Sequence, residues 1–391
     1  MAIPIVYNVR SVFRRPAASF TTMVGVGFTV AILIGALALA SGFHAALVSS
    51  GSPHNVLVLR KGADSEISSG LTRQTIDILR ANPYVAPGPD GRPAVSADVV
   101  VLTNRARLGQ PGSSNVTIRG IDPAAFPFRE RANDVRIVDG RMFQPGTAEV
   151  VVGRKIAPRF ADCGLGQQMQ FGTRVFTVVG HFTAAGSSFE SEIWGDNAVL
   201  MPVFRGDVYQ SLTFAMRDTS QFAAAKQALE SDPRLGVDVH RERDFYEQQS
   251  QMLATVMRVA GLFIVLIMGI GAVFGAMNTM FGSVGARTRE IATLLVLGFG
   301  PGAVLLSFLA ESVILALLGG ALGCLIALPI NGMVTSTTNF SSFSEVAFAF
   351  RVTPVILAVA MAFAAVMGVV GGFLPALRAS RQPLARALRD L

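Results

Sequence analysis

A chain of 391 residues that is 51% hydrophobic and only 15% charged, with a mean hydropathy of +0.49, is too apolar for an ordinary soluble domain and excludes a disordered one. Its net charge of +7 and pI of about 10.1 would suit a nucleic-acid binder. The Lys and Arg residues gather beside apolar segments, however, without the interleaved aromatics of such a surface, so nucleic acid is excluded as a partner.

In chain order, Ile5, Val6, Val9, Val12 and Phe13 recur on one helical face opposite Asn8, Arg10, Ser11, Arg14 and Arg15. Residues 1–16 therefore read as an amphipathic helix on the cytoplasmic leaflet, closed by Pro16, whose arginines also act as a topology signal. Long apolar segments follow at 18–40, 259–281, 303–328 and 352–376. Each reaches the roughly 20 residues that cross a bilayer as a helix. Ala38-Leu39-Ala40 looks like a signal-peptide cleavage site, but a signal core runs only about 7–15 residues, so the first segment reads as an uncleaved anchor.

Spans are expected at 17–42, 253–281, 303–328 and 352–377. Arg10, Arg14 and Arg15, then Arg287 and Arg289, then Arg378, Arg381, Arg386 and Arg389 all fall on one side, which should be cytoplasmic. Both termini are then inside, with a coupling loop at 282–302 and a tail at 378–391. Residues 43–252 and a short loop at 329–351 lie outside. Cys163 and Cys324 fall on opposite sides of the interface and cannot pair.

The two ends of the outer segment look alike. Residues 55–60 read as a strand and 72–81 as a helix; 211–216 read as a strand, 220–231 as a helix and 237–240 as a strand. These strand–helix units flank a β-rich block at about 97–204, with short strands at 98–103, 115–119, 149–152, 168–171, 174–179 and 198–201. The expected fold class is an α-helical membrane protein with four transmembrane helices plus an α+β extracytoplasmic domain containing a β-rich insertion. After Arg241 one helix is expected to run straight into the second span, a stiff mechanical link.

Motifs for catalysis are missing: the sequence has no GxxxxGK[ST], GxSxG or HExxH. His44, His54, His181 and His240 are widely spaced; His44 and His54 read as solvated or capping rather than metal ligands. Glu190 and Glu192, two apart, read as one exposed strand face. No enzyme and no metal site are expected. Small residues recur at four-residue spacing: Gly27, Ala31 and Gly35; Gly271 and Gly275; Gly319, Gly323 and Ala327; Gly368 and Gly372. They serve either packing within one chain or a dimer seam. Glu311, costly in hydrocarbon, reads as structural or coupling rather than as a substrate or proton site.

The most informative stretch is Gly285-Ala-Arg287-Thr-Arg289-Glu290-Ile291-Ala-Thr-Leu294-Leu-Val-Leu-Gly298, followed by Glu311. It resembles the R-x-R-E-I-x-x-L-x-x-x-G pattern of the FtsX/MacB-type (type VII) ABC transporter permeases. Leu374-Pro375-Ala376, Ala379, Pro383 and Ala387-Leu388-Arg389 resemble that family's ending. Asp139-Gly140-Arg141, Glu149 to Gly153 and Phe176 to Gly180 resemble its MacB-like periplasmic core. The resemblance implies a bacterial inner-membrane permease, working as a homodimer on a cytoplasmic ABC ATPase. Arg287, Arg289, Glu290, Ile291, Leu294 and Gly298 would then couple to the ATPase, with Ile291, Leu294 and Leu295 presented to its groove and the arginines at the rim.

MacB carries its ATPase at its N-terminus, whereas only a short helix precedes the first span here, so ATP is expected on a separate chain and no cofactor on this one. The implied mechanism is mechanotransmission, serving efflux through a periplasmic adaptor and an outer-membrane channel. Lipoprotein extraction, regulation of envelope hydrolases and an ATPase-independent receptor stay open as alternatives. A lipid-accessible groove at the first and second spans would favour extraction.

Overall fold

The computed structural model describes residues 16–88, 91–109, 111–204, 206–340 and 342–381. The amphipathic helix expected before Pro16 and the tail beyond Arg381 lie outside the described residues. The chain divides into two compact units, one of residues 1–41, 255–333 and 350–391 and the other of residues 42–254 and 334–349.

In chain order the helices are α1 (Pro16–Val48), α2 (Arg73–Arg80), α3 (Phe126–Asn133), α4 (Asn197–Phe204), α5 (Phe222–Glu230), α6 (Glu242–Ala286), α7 (Thr288–Val296), α8 (Pro301–Ala327) and α9 (Pro354–Ser380). The strands are β1 (Asn55–Arg60), β2 (Leu71–Thr72), β3 (Val95–Ala106), β4 (Ser113–Ile121), β5 (Val135–Gly140), β6 (Glu149–Gly153) and β7 (Gln168–Phe171). They continue with β8 (Arg174–Ala184), β9 (Glu192–Asp196), β10 (Val208–Tyr209), β11 (Ser211–Ala215), β12 (Val237–Arg241), β13 (Val334–Asn339) and β14 (Ser344–Ala349).

The first unit is helical. Helices α1, α6, α8 and α9 are each long and apolar enough to cross a membrane. Glycines let them approach closely, and the structure assigns the small-residue stripes that the sequence left open. A Cβ at Gly323 would lie 2.5 Å from the Gly27 carbonyl oxygen, and one at Gly319 2.8 Å from that of Met23, so α1 and α8 meet backbone to backbone. Gly368 and Gly372 likewise meet Ala316 and Ser312, and the Ser312 hydroxyl donates to the Gly368 carbonyl at 2.7 Å, locking α8 to α9. Gly35, Gly271 and Gly275 meet nothing within 4 Å.

The second unit is a ten-stranded mixed sheet in the order β12-β1-β11-β3-β4-β9-β6-β8-β5, with β7 against β8. Alternation along each strand splits its faces. On β1, Val56 and Val58 join a core with α2 and α5 residues such as Leu79 and Leu229. Leu57 and Leu59 point the other way, into a core of Phe182, Phe189 and Trp194 that also takes Phe245 and Tyr246 from the first turns of α6. The strand–helix pairs β1–α2 and β11–α5 stand where the sequence put them, whereas residues 198–201, expected as a strand, lie inside α4. An Ala-Val-Leu-Met run is too short for its period to decide, and the Asp196 carboxylate starts the helix by accepting from Ala198 N–H at 2.8 Å.

Candidate functional site

The 282–302 stretch is built from helix ends. Helix α6 stops at Ala286, Arg287 leaves helical geometry at φ −113° and ψ 19°, and α7 begins at Thr288. Gly298, at φ +89°, closes α7: its N–H donates to Leu295 O at 3.2 Å and Phe299 N–H to Leu294 O at 3.1 Å, the paired bonds of a Schellman stop. Pro301 then opens α8. Gly298 is thus a helix terminator.

Arg287 is only 8% exposed and Glu311, on α8, 5%. Arg287 Nη1 donates to Glu311 Oε2 at 2.8 Å, its Nε lies 3.4 Å from Glu290 Oε2, and its guanidinium sits 5.8 Å from the Phe308 ring centre. Ile291, 1% exposed, packs with Met280, Val284, Val304, Phe308 and Ala376. The expectation that Ile291 and Arg287 face outward is therefore corrected: the amphipathic period turns them into the helical unit. The outward face of α7 carries Arg289, Glu290, Thr293, Val296 (63% exposed) and Leu297 (65%), with Leu294 half-buried.

The second unit holds a buried ionic cluster that sequence reasoning missed. Arg119 on β4 reaches three carboxylates: Glu66 at 2.8 and 3.0 Å, Asp98 at 3.0 Å and Glu192 at 2.8 and 3.0 Å. Arg129 on α3 reaches Asp98 at 2.5 Å, Glu242 at 3.0 Å and the Thr213 hydroxyl at 3.2 Å. Glu242, the first residue of α6, also accepts from Ser52 N–H at 2.9 Å and from Asn55 Nδ2 at 2.7 Å. One turn on, the Tyr246 hydroxyl donates to Glu66 at 3.1 Å. The head of α6 is thereby pinned to β1, β3, β4 and α3.

Four carboxylates face two guanidiniums here, and burial disfavours the excess negative charge. Burial works against Glu66 as well, but Arg119's charge and hydrogen bonds, helped by Ser211 and Arg129, outweigh it and hold the carboxyl at about 2. For Glu192 and Glu242 burial wins, and their pKa values rise despite Arg119 and Arg129. The Tyr246 hydroxyl is pushed well up by burial and by Glu66. Trp194 Nε1 donates to Glu192 at 2.7 Å.

Glu190 and Glu192, expected on an exposed face, are both buried. Glu190 accepts from Ala184 and Gly186 N–H at 2.8 Å each and pairs with Lys155 at 3.3 Å. A readable signal was the alternation itself: Ser96 and Asp98, Thr117 and Arg119, Glu192 and Trp194, Ser211 and Thr213 each stand two apart on their strands. The 329–351 loop also gains structure as a β13–β14 hairpin, whose buried Glu345 pairs with Arg107 at 2.5 Å and Arg159 at 3.1 Å. His44 contacts Ser250 Oγ at 2.7 Å, and no metal-binding group of His, Cys, Asp and Glu occurs among the described residues.

Residues 19–232 match the family profile of the MacB-like periplasmic core domain, and residues 262–384 that of the FtsX-like permease C-terminal region. The chain belongs to the MacB-like, FtsX-type family of ABC transporter permeases. The permease is 26% identical to the macrolide export ATP-binding/permease protein MacB 2 of Aeromonas hydrophila, over 95% of this chain and 58% of that protein. It is also 26% identical to the pyoverdine export ATP-binding/permease protein PvdT of Pseudomonas entomophila, over 94% and 57%. The chain thus spans a little over half the length of these relatives. The periplasmic region of MacB from Actinobacillus actinomycetemcomitans aligns over 51% of this chain and 93% of that one, at 15% identity and a TM-score of 0.37.

Proposed function

We propose that the permease transmits the motion of an ATP-hydrolysing partner to its outer domain, and that it serves export across the cell envelope. The observation that carries this reading is α6, one uninterrupted helix of 45 residues. Its first residue is held by Arg129 in the ionic cluster, and the residue that follows it, Arg287, is held by Glu311 beside α7. A helix fixed at both ends is a stiff coupling rod. Export names among the relatives favour the direction, and a homodimer on a cytoplasmic ATPase, meeting a periplasmic adaptor and an outer-membrane channel, completes the proposal. In this scheme the basic flanks face the cytoplasm of an inner-membrane protein.

The ATPase-facing surface is then Arg289, Glu290 and Leu294 with their exposed neighbours on α7, while Arg287, Ile291 and Gly298 shape that helix from within. Purification in mild detergent with mass spectrometry of co-purifying chains tests the partner. In the resulting complex, Arg289→Glu with Glu290→Arg should abolish stimulation of ATP hydrolysis while the protein stays folded; normal stimulation would sink the docking assignment. A second reading, lipoprotein extraction, gains support from a cavity of about 370 Å³ between α1 and α6, lined by Thr22, Gly25, Phe28, Gly271, Gly275 and Thr279. A lipoprotein in the same purification would favour it.

A further inference from the structure

We propose that Arg287 and Glu311 form a positioning latch that makes α7 move together with α8 and α9, so that a push on the docking helix enters this helix pair as well as α6. This rests on the reading of α7 as the docking element. The chain leaves helical geometry at Arg287, where its N–H turns to Val284 O at 3.1 Å, so the helical ladder of α6 does not run on into α7. One guanidinium adds a side-chain tie across that break: it holds Glu290 on α7 at 3.4 Å and Glu311 on α8 at 2.8 Å.

Both side chains are buried, with the Arg287 guanidinium 5.8 Å from the Phe308 ring centre, where apolar side chains alone would have packed at least as well. Apolar surfaces slide past one another with little directional preference. A charge-assisted bond away from water holds one geometry, because no solvent stands ready to replace either partner. The residue after Glu311 continues the path: Ser312 bonds to the Gly368 carbonyl and fills the space beside Gly372. Displacement of Glu311 therefore carries α9 with α8. Between those two helices the chain forms the β13–β14 hairpin, which Arg107 and Arg159 hold through Glu345. The latch thus opens a second route to the outer domain, parallel to α6.

The test compares the full-length protein with Arg287→Met, Glu311→Gln, the exchanged pair Arg287→Glu with Glu311→Arg, and Arg289→Glu. Amide hydrogen exchange of residues 288–298 is measured in detergent, followed by ATP hydrolysis in complex with the co-purified ATPase. Each single latch variant should raise exchange in that segment about tenfold. Arg289→Glu should leave it unchanged, and Glu311→Gln should uncouple hydrolysis from its stimulation without altering the basal rate. Where the exchanged pair folds, exchange should return towards wild type. Unchanged exchange in both Arg287→Met and Glu311→Gln would overturn the latch, as would stimulation that survives Glu311→Gln. Stimulation that survives Arg289→Glu instead counts against α7 as the docking element, which keeps the two failures apart.

Discussion

Replacing Arg119 by Met should remove the centre of the second unit's ionic cluster while nearly preserving side-chain volume. The wild-type guanidinium makes five hydrogen bonds, two each to Glu66 and Glu192 and one to Asp98. Deleting one member of a buried ion pair costs about 3–5 kcal/mol, because the charges left behind stay buried. For a domain of this size each kcal/mol shifts the melting temperature by roughly 2–4 °C, so the variant should melt about 6–20 °C lower near neutral pH. Trp194 is the chain's single tryptophan and touches Glu192, so its fluorescence reports melting at the cluster itself.

The pH dependence gives a second, independent sign. In the wild type, Glu66 drops from 4.5 to about 2 on folding, so its contribution is complete above about 4.5 and is lost as pH falls towards 2. Without Arg119, burial, the largest influence on Glu66, is opposed only by the Ser211 bond and the charge of Arg129, so Glu66 should rise and join Glu192 and Glu242, whose folded pKa values already lie above 4.5. A carboxyl raised on folding stabilises at low pH and loses that contribution as pH rises through its folded value. The variant should therefore regain melting temperature on acidification towards about 4.5. A variant that melts within about 2 °C of wild type at neutral pH, or that does not recover in acid, would show that Arg119 does not hold the buried carboxylates in place.

Other perturbations follow from the same geometry. Gly323→Leu should block assembly of the helical unit and lower the yield of folded protein in detergent, since its Cβ meets Gly27 backbone, whereas Gly271→Leu, with open space around it, should purify normally. Gly298→Ala forces a Cβ into left-handed backbone at a cost of roughly 1–2 kcal/mol, which faster hydrogen exchange at the C-terminal end of α7 should report. Glu345→Ala leaves Arg107 and Arg159 without their shared acceptor and should expose the β13–β14 hairpin to limited proteolysis. Burial disfavours the charged Glu345, but bonds from Ser336, Ser114 and Arg107 prevail and lower its pKa, so in wild type the hairpin should loosen as pH falls below about 4.5.

The four apolar helices were legible because about twenty apolar residues in a row have few other uses, and the strand–helix pairs because both periods were clean. The α7 stretch was legible as a motif but not in its orientation. Ile291 and Leu294 are both apolar, and only the packing of Met280, Val304 and Ala376 around the first shows which one turns inward. The ionic cluster escaped because its members come from six separate places, from Glu66 to Tyr246. A buried charge looks like a surface charge until its partner is known, and the misreading of Glu190 and Glu192 has that origin. The glycines show the same limit from the other side. Gly323 and Gly271 sit in similar stripes, yet one touches α1 and the other faces open space.

If motion passes along helices fixed at both ends, as proposed, breaking α6 in its exposed stretch should stop it. Val256→Pro removes a helical hydrogen bond and kinks the rod, at about 3 kcal/mol, at a residue whose side chain is more than half exposed. With a spin label replacing exposed Val138 and both native cysteines changed to serine, the distance between labels on the two copies of the proposed dimer can be followed with and without ATP. An ATP-dependent shift is expected in the unbroken protein, and in Val256→Pro continued hydrolysis with that shift largely lost. An undiminished shift across the broken helix would mean that α6 does not carry the motion.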